Sequence, residues 1–462
     1  MLRFPTDFEF GVATAAYQIE GAVNEDGRVP SHWDTFSHTP GKTWQGDTGD
    51  IACDHYHRYR EDVQMLAELG VQSYRFSLAW PRIIPEPGRI NDKGLDFYRR
   101  LLDELDRYQI RPAVTLYHWD LPQWLADRGG WVNRDVVHYF ADYAEVAFRA
   151  LGNRVPRWIT HNEPWCTAFL GYALGEHAPG HRDWGEAVNA SHHVLVSHGL
   201  AVQAFRAANL SGDIGITLNL NVVDAASDDP QDLEAAQRAD GFSNRWFLDP
   251  LFRGRYPEDM VRLFEPWVSL DTVVQPGDLK VLAEPIDFLG VNYYSRAVVY
   301  AKPGEGLLQV GHRPAPADRV TDMGWEIHPH SLYRLLSRLQ REYTRLPLYI
   351  TENGAAFPDR VANDGTVHDP ERVQFLQDHF AAAHRFIAEG GHLKGYYVWS
   401  LMDNFEWAFG YSKRFGLVYV DYPTQKRIWK DSARWYQKLI LANRARAMDL
   451  ENVDDHHTGE HH

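Results

Sequence analysis

Two glutamates in this chain, Glu163 in THNEP and Glu352 in ITENG, each close a short apolar run and each stand beside an asparagine. Paired carboxyl groups facing each other across a cleft can do acid–base and nucleophilic work together. One protonates a leaving oxygen while the other meets the positive charge that develops on carbon. That is the requirement of glycosidic cleavage, where the separation of the two groups sets the stereochemistry. Aromatic residues beside polar ones, as in YHWDLPQW, NEPW, NYY, YYVWS and NFEWAFGY, add surfaces on which sugar C–H faces stack while nearby amides and carboxylates bind hydroxyls.

Such residues need a scaffold that brings them together. Eight apolar, β-rich runs recur at 10–21, 71–80, 111–119, 156–164, 213–221, 285–295, 346–354 and 393–404. Segments of helical periodicity lie between them at 56–70, 92–109, 134–152, 184–208, 331–343 and 370–390. Eight strands alternating with helices predict a parallel sheet closed into a single (β/α)8 TIM barrel, with its active site at the C-terminal ends of the strands. Those ends carry Gln18 with Glu20, Arg75, His118, Asn162 with Glu163, Asn219, Asn292 with Tyr294, Glu352 with Asn353, and Trp399. No Pro/Ser run or charge block separates the units, so residues 1–445 read as one catalytic domain and 446–462 as a polar, disordered tail. The stretches 24–54, 222–254, 300–325 and 404–430 read as irregular loops at one mouth of the barrel.

Composition narrows the partners. The 462 residues are 44% hydrophobic and 13% aromatic, ample for a large core. A net charge of −16 opposes nucleic acid and anionic membrane surfaces. Cys53 and Cys166 form no disulfide framework or metal knuckle, and the N-terminus has neither the basic start nor the apolar stretch of a signal peptide, so a cytoplasmic protein is expected. No run approaches the roughly 20 apolar residues of a membrane span. His55, His57, His192 and His193 lack an HExxH or facial-triad context, and no phosphate loop or GxSxG elbow occurs. No metal and no cofactor are expected.

The motifs FEFGVATAAYQIEGA, RFSLAWPRI, TLYHWDLPQWL, THNEP, LGVNYYS, YITENG and YYVWSLMDNFEWAFGYSKRFGLVYVDY, in that order across residues 4–440, resemble glycoside hydrolase family 1, the β-glucosidases. The resemblance implies a retaining, exo-acting enzyme that removes terminal β-D-glucosyl residues from β-glucosides and cello-oligosaccharides. It implies Glu163 as acid/base and Glu352 as nucleophile. Gln18, His118, Asn162, Trp399, Glu406 and Trp407 would hold the nonreducing sugar. Asn292 would line the site, Tyr294 and Arg75 would orient the nucleophile, and Trp165, Asn219 and Trp325 would lie towards the aglycone. His161 departs from the family pattern, which has Phe before Asn-Glu-Pro; strand alternation turns it away from the pocket, so a packing consequence is expected. The alternatives are a glycosidase preferring galactosides or fucosides, a noncatalytic sugar-binding barrel, and a thioglucosidase. The second would lack a carboxylate and the third commonly carries Gln at position 163.

Overall fold

The computed structural model describes residues 2–458. Its centre is a closed barrel of eight parallel strands: β1 (Glu9–Ala13), β2 (Ser73–Ser77), β3 (Arg111–Tyr117), β4 (Arg157–Asn162), β5 (Asp213–Asn219), β6 (Phe288–Asn292), β7 (Leu348–Asn353) and β8 (Leu393–Trp399). Each pairs with its sequence neighbours, and β1 closes on β8 with Ala13 opposite Trp399. Strands buried on both faces read as continuous apolar runs, and every residue of β4, β6 and β7 is buried.

The outer ring comprises α1 (His55–Leu69), α2 (Asp92–Arg107), α3 (Val136–Leu151), α4 (Trp184–Ala207), α5 (Pro329–Glu342), α6 (Pro370–Ala388) and α7 (Asp431–Thr458). Their apolar stripes face the barrel; in α2 the buried set includes Leu95, Tyr98, Leu101, Leu102 and Leu105, spaced by three and four. Among the described residues no helix is long and apolar enough to cross a membrane.

The barrel is plugged at its N-terminal end. Arg157 donates to Glu9 at 2.6 Å, to the Tyr397 hydroxyl at 3.0 Å and to the Tyr349 hydroxyl at 2.8 Å. A side chain at Gly11 would stand 2.5 Å from the Tyr397 ring, so glycine is what lets the plug close. Only the opposite end is left open.

Where structure and sequence reading differ, tertiary partners decide. The first run stops at Ala13, because Ser77 Oγ accepts the Ala16 amide at 2.7 Å and the chain enters a helical turn, Ala16–Ile19, that carries Gln18. The stretch expected as loop at 222–254 holds the helices Pro230–Asp240 and Trp246–Arg253, and a side sheet joins Val222–Ala225, Arg296–Ala301 and Val310–His312. Within 404–430 an antiparallel hairpin pairs Val418–Asp421 with Lys426–Trp429. The expected tail also changes. α7 crosses residue 445 unbroken to Thr458, since no Gly or Pro interrupts its Ala, Arg, Leu and Glu. Residues 459–462 of that stretch lie outside the described residues.

Candidate active site

A cavity of about 660 Å³ opens at the C-terminal ends of the strands. It is lined by Gln18, His118, Asn162, Glu163, Trp165, Asn219, Asn292, Tyr294, Trp325, Glu352, Trp399, Glu406 and Trp407, so, while the strand-end residues Glu20 and Asn353 turn away to bond Arg82 and Tyr396, every site residue that the family resemblance implies but one shares a single wall. The exception, Arg75, lies fully buried beneath the floor.

Arg75 leaves β2 and spans the barrel interior. Its guanidinium donates to Glu352 Oε2 at 2.8 Å, to Asn162 Oδ1 at 2.6 Å and to Thr115 Oγ1 at 3.1 Å. Glu352, in β7, also accepts from the Tyr294 hydroxyl at 2.5 Å. Burial pushes its carboxyl up, and Arg75 and Tyr294 oppose that by supporting the anion. Glu163 follows directly on β4 in a left-handed conformation (φ 51°), with its amide donating to the Thr217 carbonyl on β5. That turn directs the carboxyl inward, where Asn292 Nδ2 donates to Oε2 at 2.8 Å and the Cys166 thiol donates to Oε1 at 3.1 Å. Burial first, then the negative charge of Glu352, raise Glu163 to about 7. One carboxyl is therefore braced by a cation while the other holds its proton near neutrality.

The inner end of the cavity offers complementary polar atoms. Arg75 and Asn292 both donate to Asn162 Oδ1, which orients the Asn162 amide nitrogen towards His118 Nε2 at 3.1 Å. His118 Nε2 thus accepts, and the ring, kept neutral by burial and by Arg75, carries its proton on Nδ1, which has no protein partner. Gln18 donates to Asn404 and Phe405 and leaves Oε1 unpartnered. Glu406 meets Gln18 Nε2 only at 3.5 Å, and enclosure together with the charges of Glu352 and Glu163 raises its carboxyl to about 8. Lys413 and Arg414 engage Asp322 and Asp403 and do not neutralise it. The His118 ring lies nearly parallel to Trp399 and Trp407, each with centroids 6.0 Å away. A donor, an acceptor, a carboxyl and aromatic faces converge, as a sugar ring requires.

The sequence profile of glycosyl hydrolase family 1 matches residues 1–445. The chain belongs to glycosyl hydrolase family 1. It is an O-glycosyl hydrolase. It is 50% identical over 447 residues to a protein named β-glucosidase A from Acetivibrio thermocellus, covering 96% of this chain and 99% of that one. It is 48% identical to a bifunctional β-D-glucosidase/β-D-fucosidase of Bifidobacterium breve, covering 96% and 99%. The solved structure of the AHE enzyme from Alicyclobacillus herbarius matches with 59% identity and a TM-score of 0.94, covering 96% of this chain and 98% of that one.

Against that family background, His161 faces outward, away from the pocket, although a register irregularity between Ile159 and Asn162 turns Thr160 outward as well. His161 stacks on Phe140 with centroids 4.4 Å apart, and its Nε2 lies 2.8 Å from Ser197 Oγ, so it packs β4 onto α3 and α4. His55, His192 and His193 are also tied into the scaffold: His55 contacts Asp62, His192 joins Tyr256 to Asp278, and His193 reaches the Trp131 carbonyl. Among the described residues no His, Cys, Asp and Glu grouping could hold a metal ion. The sequence reading missed Cys166, Glu176, His177, Arg296, Phe409 and Phe415 on the cavity wall. Cys166 had a signal, three positions after Glu163 on a turn; Arg296 opens a strand of the side sheet, and Glu176, His177, Phe409 and Phe415 sit in loops and a short turn whose course no periodicity foretells.

Proposed function

We propose that this family 1 hydrolase is a retaining, exo-acting β-glucosidase in which Glu352 is the nucleophile and Glu163 the acid/base. The observation that carries the reading is the contrast between the two carboxyls of one cavity. Glu352 is held by Arg75 and Tyr294 in the form that attacks, and Glu163 keeps the proton that a leaving group needs.

In the first step a Glu352 oxygen bonds to C1 as the C1–O bond breaks, and the Glu163 proton passes to the departing oxygen. The glucosyl ester that forms has no negative charge on Glu352, so one cause of the raised Glu163 value disappears and Glu163 becomes a base. It then takes a proton from water. The water oxygen bonds to C1, and the electron pair of the ester bond returns to Glu352. Retention asks for carboxyls about 5 to 5.5 Å apart, too close to admit a water between them.

Exo action is supported by the inner end of the cavity, where Gln18, Asn404, Trp399 and Trp407 are buried and leave no path for a further sugar. Trp165, Asn219 and Trp325 form the wall on the aglycone side, open to β-glucosides and short cello-oligosaccharides. A carboxyl at 406, with Glu163 and Glu352 close by and no basic residue bonded to it, disfavours a sugar 6-phosphate. That the Bifidobacterium breve relative is named a bifunctional β-D-glucosidase/β-D-fucosidase supports some acceptance of β-fucosides.

The test is proton NMR of fresh product with a panel of 4-nitrophenyl glycosides. β-Glucose is expected first, from the glucoside and not from its 6-phosphate, and Glu352→Ala should lose nearly all turnover. Initial α-glucose, or sizeable activity in Glu352→Ala, would overturn the mechanism.

A further inference from the structure

Cys166 lies on the first turn after β4. Pro164 and Trp165 lead the chain into a π-helical turn, Cys166–Leu170, and the Cys166 amide donates to the Glu163 carbonyl at 2.9 Å. This closure places the thiol against the carboxyl of the residue three positions earlier. Sγ stands 3.1 Å from Oε1, while the Asn292 amide holds Oε2, so each oxygen of Glu163 has one protein donor.

We propose that Cys166 is a positioning residue for the acid/base: its thiol donates to Glu163 Oε1, fixes the rotation of that carboxyl, and supports the anion that activates water in the second half-reaction. This rests on Glu163 being the acid/base. The thiol remains a donor throughout, because burial and the charge of Glu163 keep its own ionisation well above the usual range. Its weakness as a donor matters. A second strong donor would lower the proton affinity of Glu163 further, whereas an S–H fixes geometry at a smaller cost to proton affinity. Other groups bear on Glu163 as well: Glu352 from β7, Arg75 from β2, Tyr294 after β6 and Glu406 after β8, while Glu176 in the loop beyond the turn bears on the Cys166 thiol. None of these replaces the donor at Oε1.

The experiment compares pH profiles of kcat/KM on 4-nitrophenyl β-glucoside for wild type, Cys166→Ala, Cys166→Ser and Glu163→Ala, with thermal midpoints measured alongside. Removing the donor favours the protonated carboxyl, so the basic limb of Cys166→Ala should move up by about half to one pH unit. Cys166→Ser keeps a donor, and its limb should lie at or below that of wild type. A structural role alone would lower thermal midpoints and leave the limbs in place. An unmoved limb in Cys166→Ala, or one that moves equally in Cys166→Ser, overturns the proposal while Glu163→Ala still abolishes the limb. A limb that survives in Glu163→Ala overturns the acid/base assignment and the proposal with it.

Discussion

Glu163 and Glu352 are the same residue type made different by their neighbours. Because Glu163 is raised to about 7, it is protonated below that value and loses its proton as pH rises through it, so kcat/KM should fall on the alkaline side near neutrality. Glu352 must be ionised to attack. Its value is also raised, so the acidic limb should stand above the ordinary range of a glutamate. The second cause of the Glu163 shift is the charge of Glu352, and this can be isolated. In Glu352→Gln that charge is gone while the burial is kept, so the Glu163 midpoint should drop from about 7, read by ¹³C NMR titration of labelled carboxyls. A midpoint that stayed or rose would mean burial acts alone and the two groups are not coupled. Both carboxyls were legible in the sequence as paired ends of apolar runs. Cys166 was visible only as a thiol, since its bond to Glu163 exists only once the turn after β4 is folded.

At the scale of elements, each strand delivers one or two side chains to the rim, and the loop after β8 delivers Glu406 and Trp407 from further away. That loop is pinned by buried charge. Asp403 accepts from Lys430 Nζ at 2.7 Å, from the Gly416 amide at 2.9 Å and from Arg414 at 2.7 Å, and Lys430 also reaches Asp359 at 2.6 Å. Lys430 and Asp403 are both fully buried, so removing Lys430 alone leaves the buried Asp403 with Arg414 as its one bonded cation among the described residues and Asp359 without its lysine. Lys430→Met should destabilise the fold by about 3 to 5 kcal/mol and raise KM, because the loop that holds the sugar loosens. Lys430→Met combined with Asp403→Asn should recover part of that loss, as measured by chemical denaturation. Recovery of nothing would show that the ion pair does not anchor the loop. The eight runs and six helical segments could be read because apolar period survives in single sequences. The hairpin at 418–429, the side sheet and the turn bearing Gln18 could not, since each is fixed by distant groups such as Ser77 or Asp403.

Over the whole molecule the barrel is sealed where the segment before β1 meets α7. The Tyr436 hydroxyl of α7 donates to the Gly11 carbonyl on β1, Asn443 Oδ1 accepts the Phe4 amide at 3.0 Å, and Arg444 and Arg446 donate to the carbonyls of Gly70 and Phe4. Ile440 is fully buried and Leu439 nearly so, whereas the side chains at 448–452 are exposed. The helix therefore has two functional lengths. Up to Ala447 it clasps β1, α1 and the N-terminal segment; over 448–452 the side chains face solvent, and helix propensity supports the backbone there. The sequence reading placed a boundary at 445 from loss of apolar period, and that period marks where burial ends and not where the helix ends. Replacing the exposed Met448 and Leu450 with Ala should leave activity unchanged and unfolding free energy within about 0.5 kcal/mol of wild type. Ending the chain after Lys438 removes Leu439, Ile440 and the Asn443 contact, and should cost at least about 4 kcal/mol, the sum expected for two large apolar side chains taken from a core. Chemical denaturation of the two variants side by side decides it: a large loss in the substituted full-length chain, or none in the truncated one, would mean the clasp lies elsewhere on α7.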